Sequence, residues 1–133
     1  FRNDKVDAGE IGSGHAVTAL YELKLKDSSE DLGNVFLRYK DDRGENVKEI
    51  NVPISAQNFY PEFNDASPEF QAIAAVAEFA ELLRGSYWAK DGSLKDVSQL
   101  CDQIKGQVDD SSYGEFYSLV KDAVALSKNT ASR

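Results

Sequence analysis

The feature that most constrains this chain is a change of hydrophobic period partway along it. From Ala16 to Ile54 apolar residues recur every second position, whereas after Ser67 they recur at helical spacing. A period of two places alternate side chains on one face of a strand, and a period near 3.6 places them along one stripe of a helix. The pattern therefore predicts a β-rich part over residues 1–56, a connector over 57–66, a helical part over 67–128 and a frayed tail over 129–133.

In the first part Val17, Ala19, Tyr21, Leu23 and Leu25 share one face of an expected first strand. A polar loop follows, then a second strand over Val35–Lys40 with Val35, Leu37 and Tyr39 aligned. Asp41-Asp42-Arg43-Gly44 has hairpin-turn chemistry, since Gly44 tolerates positive φ. Val47–Ile54 is the third strand, with Pro53 marking a strand end or an edge because it has no N–H to give. The expected arrangement is an antiparallel meander.

Three helices follow. Ser67-Pro68 sets an N-cap and a first-turn proline, and Gly85 ends a helix whose stripe is Phe70, Ile73, Ala74, Ala77, Ala80 and Leu83. Ser93 caps the second, with Leu94, Val97, Cys101, Ile104 and Val108 inward. Ser112-Tyr113-Gly114-Glu115 fits a capping box for the third, with Phe116, Leu119, Val120, Ala123 and Val124 inward. A thin sheet and three short helices reach a core most simply by packing together, so the expected class is α+β: about three strands against about three helices. At 133 residues one compact domain suffices.

The chain contains no methionine and begins Phe1-Arg2-Asn3-Asp4, which leads to the expectation of a piece of a longer polypeptide. A meander so begun leaves a sheet edge to be covered, either by Phe1–Lys5 or by a second molecule.

Charge excludes some functions. A net charge of −8, with 15 Lys and Arg scattered among 23 acids, provides no basic stripe for nucleic acid. No apolar run approaches the roughly 20 residues of a membrane helix, so direct membrane insertion is not expected. One cysteine, Cys101, excludes an intrachain disulfide, and its place on an apolar stripe suits packing.

Catalytic constellations are thin. No Gly-x-Ser-x-Gly elbow occurs, and the sole histidine, His15, is a weak basis for a triad. Asp4, Asp7, Glu10 and His15 cluster within twelve residues, the one place where oxygen ligands and an imidazole gather as for calcium or zinc. Catalytic zinc ordinarily takes more His or Cys ligands, so the simpler expectation is that His15 bonds a neighbouring carbonyl or carboxylate at a strand entry. Gly9, Gly12 and Gly14 precede a strand rather than open a helix, which suits turns and not a phosphate cradle. No catalytic residue and no cofactor are therefore expected. Tyr87-Trp88 has the amphipathic aromatics that interfaces favour, although such a pair also plugs the end of a small core, the simpler reading; the same holds for Phe59, Tyr60 and Phe63.

The run Asp4–Glu22, together with Leu37-Arg38-Tyr39-Lys40 and Ala74-Ala75-Val76-Ala77-Glu78-Phe79-Ala80-Glu81-Leu82-Leu83-Arg84, resembles the C-terminal domain of unknown function in bacterial YfbK-like proteins, which carry a central von Willebrand factor type A domain. The resemblance implies a cell-envelope setting, extracytoplasmic and lipid-anchored in the full-length protein. It also implies a type A domain with a metal-dependent adhesion site in the same polypeptide. That site needs an Asp-x-Ser-x-Ser loop, which is absent here, so its metal is not assigned to these residues. The expected role is an accessory module that contacts proteins or orients the type A domain. The alternative is a small metal or ligand site around His15.

Overall fold

The computed structural model describes residues 9–25, 31–40, 46–108 and 111–130. Strand β1 (Asp31–Lys40) pairs antiparallel with β2 (Val47–Ser55), and three helices follow: α1 (Pro68–Leu83), α2 (Leu94–Ile104) and α3 (Ser111–Thr130). Short 3-10 turns at Ala56–Asn58, Phe63–Asp65 and Tyr87–Ala89 lie between them. The class is α+β, as the change of period implies.

The ribbon register sets Val35 opposite Val52, Leu37 opposite Ile50 and Tyr39 opposite Lys48, so the expected apolar residues do share one face. On the other face Arg38 Nη1 lies 3.7 Å from Glu49 Oε2 across the pair. One extra residue of β1 sits between Asp31 and Gly33, and Gly33 adopts φ 130°, a conformation that suits glycine at such a bulge.

The sheet of the described residues has two strands where three are expected. Residues 16–25 join no ladder, and Val17, Leu20, Tyr21, Leu23 and Leu25 are exposed. Alternation specifies which face of a strand is buried, but a strand also needs a partner for its backbone groups. Among the described residues no segment supplies that partner. The hairpin turn at 41–44 and the Phe1–Lys5 segment lie outside the described residues.

The helices build their own core. Ala75 and Phe79 of α1, Val97 and Cys101 of α2 and Val120 of α3 form its buried centre, with Leu82, Leu94, Leu100, Tyr113, Phe116, Tyr117 and Ala123 packed around it. Phe79 meets Phe116 edge to face, centroids 5.6 Å apart. The first two caps are as the sequence implies: Ser67 Oγ accepts from the Phe70 N–H at 3.2 Å, and Ser93 Oγ accepts from the Asp96 N–H at 3.2 Å. The third is not, because α3 already begins at Ser111 and Ser112 lies inside the helix rather than at its N-cap. Helix α2 buries Val97, Cys101 and Ile104 as expected.

The inward face of α1 differs from the expected one. Gln71, Ala72, Ala75 and Phe79 are buried, whereas Phe70, Ile73, Ala80 and Leu83 are exposed. This helix is apolar around most of its circumference, so periodicity alone does not choose a face. The face that wins carries less apolar area than the one left exposed, but its small Ala72 and Ala75 permit close approach and its Phe79 meets Phe116 edge to face. Gln71 is buried without penalty because its Nε2 donates to the carbonyls of Ala66 (2.8 Å) and Asn64 (3.3 Å), tying the connector to the helix. Leu119 of α3 is also exposed rather than inward, and Phe59, Tyr60 and Phe63 of the connector are exposed rather than in the core.

Candidate interaction surface

Chain geometry at the end of α1 fixes Tyr87 and Trp88 outside the core. Gly85 takes φ 66°, and the N–H groups of Ser86 and Gly85 donate to the carbonyls of Glu81 (3.0 Å) and Leu82 (3.1 Å). This pair of bonds is a Schellman closure, which requires a left-handed residue just past the helix. Ser86 then starts the next turn, its Oγ accepting from the Trp88 N–H at 3.3 Å while its carbonyl accepts from the Ala89 N–H at 3.2 Å. Ala89 is buried and anchors that turn.

The two aromatic rings point the other way. Tyr87 is 68% and Trp88 79% exposed, which excludes the core-plug reading. Their centroids lie 5.5 Å apart at 83°, an edge-to-face pair. Lys90 Nζ sits 4.4 Å from the Tyr87 ring centre and donates to the Tyr87 hydroxyl at 3.3 Å. A Glu81–Arg84 ion pair at 2.5 Å borders the turn. The Glu81 carboxyl is held below its usual range by hydrogen bonding from Ser86 and then from Arg84. The result is a braced aromatic projection between a cation and an ion pair.

The acidic loop is placed less completely. Asp4 and Asp7 lie outside the described residues. Glu10 and His15 are exposed, and the His15 N–H donates to the Gly12 carbonyl at 3.0 Å in a turn that Gly14 completes at φ 79°. A side chain at Gly12 would approach the His15 ring to 3.0 Å, so glycine there makes room for the imidazole. Among the described residues no carboxylate bonds that ring, and no group of three His, Cys, Asp or Glu is arranged to hold a metal ion.

Two polar groupings in the helices escape sequence reasoning. Asp102 accepts from the Tyr117 hydroxyl at 2.6 Å and from Lys121 Nζ at 2.6 Å, pinning α2 to α3. Those bonds lower the Asp102 pKa, the Lys121 contact foremost, and raise those of Tyr117 and Lys121. Deeper in, burial pushes the Cys101 thiol up. Burial, followed by the neighbouring thiol, likewise raises the Tyr113 phenol. A buried thiol with a raised pKa is a packing group and not a nucleophile. The partners of Asp102 lie 15 and 19 residues away, and no local motif announces them.

Comparison with known proteins fits this arrangement into a family. The family described as "Uncharacterized protein YfbK, C-terminal" matches residues 1–32 and 24–126, and the chain belongs to it. The chain is similar to "Uncharacterized protein YfbK" of Escherichia coli (strain K12), 28% identical over 141 residues that cover 91% of this chain and 24% of the relative. It thus spans about a quarter of the length of the curated relative it matches. No solved structure matches.

Proposed function

We propose that this member of the YfbK C-terminal family is a non-enzymatic accessory module that contacts protein partners, foremost a type A domain of the same polypeptide, at the cell envelope. The carrying observation is the Tyr87–Trp88 pair, held rigid by a Schellman closure and a capped turn yet exposed at 68% and 79%. Aromatic residues with few rotatable bonds lose little entropy on docking and dominate interface energetics. Ala89 of the same turn is buried, which anchors the projection on the folded helices.

The non-enzymatic reading is supported by the state of the two most reactive side chains. His15 is exposed without a bonded carboxylate among the described residues, and Cys101 is buried with its thiol kept protonated. The envelope setting rests on resemblance, and the described residues contain no helix long and apolar enough to cross a membrane.

Calorimetric titration of the chain with the type A domain tests the proposal. Binding is expected, and Trp88→Ala is expected to weaken it about 30-fold or more, the loss of a hot spot worth at least about 2 kcal/mol. Equal affinity of wild type and variant would remove the aromatic pair from the interface, and absence of binding would remove the partner.

A further inference from the structure

Two apolar surfaces remain after the helical core and the Tyr87–Trp88 projection are accounted for. The first is one face of the ribbon, where Val35, Leu37, Tyr39, Ile50 and Val52 are each between 42% and 56% exposed. The second is the run Val17–Leu25, which has the alternation of a strand and no ladder, with Tyr21 exposed at 81%. Apolar side chains gathered on one face and left exposed mark an interaction surface, unlike apolar residues scattered singly. Both surfaces are built for a sheet.

We propose that the Val17–Leu25 run and the apolar face of the β1–β2 ribbon form one half of a β-structure. The other half comes from a strand-bearing segment of the longer polypeptide outside these 133 residues. The partner segment alternates apolar residues, pairs its backbone with residues 17–25, and lays its apolar face over Leu37 and Ile50. This rests on the reading above that the chain works beside other parts of its polypeptide, and it names a second surface and the chemistry that fits it.

Two observations favour that occupant over a second copy. A chain with net charge −8 repels its own copies, whereas a segment in the same polypeptide is held at high effective concentration. The curated relative carries about three quarters of its length outside the region matched, ample for such strands.

Hydrogen exchange of the isolated chain and of the full-length polypeptide tests this. Amides of residues 17–25 are expected to exchange about 100-fold more slowly in the full-length polypeptide, as laddered amides do. Leu37→Asp and Ile50→Asp in the full-length polypeptide are expected to abolish that protection while amides of α2 near Cys101 keep theirs. Equally fast exchange in both polypeptides would overturn the proposal. Protection in the isolated chain that grows with its concentration would overturn it in favour of a second copy. Concentration-independent protection there would overturn it in favour of closure within the chain. Since Trp88→Ala touches neither surface, failure here and failure of the aromatic interface are read separately.

Discussion

Replacing Phe79 and Phe70 in turn by alanine separates the two possible inward faces of α1. Phe79 is 5% exposed, belongs to the buried centre and stacks edge to face on Phe116. Phe70 is 46% exposed, with a tilted contact to Phe63 at 6.3 Å. Truncating a buried phenylalanine costs about 3–5 kcal/mol, through lost transfer energy plus the cavity left behind. A three-helix unit of about 60 residues is worth roughly 3–9 kcal/mol in all. Phe79→Ala therefore removes much of its stability, whereas Phe70→Ala is expected to cost about 1 kcal/mol or less. Urea unfolding followed by circular dichroism at the helix band reads the difference. With a slope of about 1 kcal/mol per molar, the Phe79→Ala midpoint falls by about 3–5 M and the Phe70→Ala midpoint by under about 1 M. The opposite order would refute the assignment of faces and restore the Phe70–Leu83 stripe to the core.

Three further outcomes follow from the same geometry. Cys101 is fully buried with a raised thiol pKa, so a water-soluble disulfide reagent is expected to label it only at the rate of unfolding; prompt labelling of native protein would contradict its packing role. Asp102 has a lowered pKa, so its bonds to Lys121 and Tyr117 stabilise the fold above the ordinary carboxylate range. That contribution is lost as pH falls through the native value, and Asp102→Asn is expected to flatten the acid limb of the stability curve. Gly85→Ala meets no neighbouring atom but forces a side chain onto φ 66°, at a cost of about 1–2 kcal/mol; an unchanged melting temperature would argue against the Schellman closure.

Much of the architecture was legible because its signals are local. Ser67 with Pro68, Ser93 and Gly85 punctuate the helices through bonds that span a few residues, and the Val35 and Ile50 alternations fix the ribbon faces. The expected first strand failed where the signal is not local: Val17 to Leu25 alternate correctly, but pairing depends on a partner that the run itself does not encode. The inward face of α1 was illegible for a related reason, since Ala72, Ala75, Ala77 and Ala80 surround the helix with nearly equivalent surface. At the aromatic pair the residues were identifiable and their exposure was not. Tyr87-Trp88 after a helix-ending glycine suits either a plug or a projection, and the outcome depends on which residue of the turn is buried, here Ala89.

Trp88 is the chain's one tryptophan, which permits a direct test of the claim that a rigid, solvent-facing aromatic pair engages the type A domain. Labelling the chain with 5-fluorotryptophan gives a single fluorine resonance. Its solvent isotope shift reports exposure, and its position on addition of unlabelled type A domain reports contact. The account predicts a full isotope shift for the free chain, diminished and displaced in the complex. A shielded resonance in the free chain, or one unmoved by saturating type A domain, would contradict it.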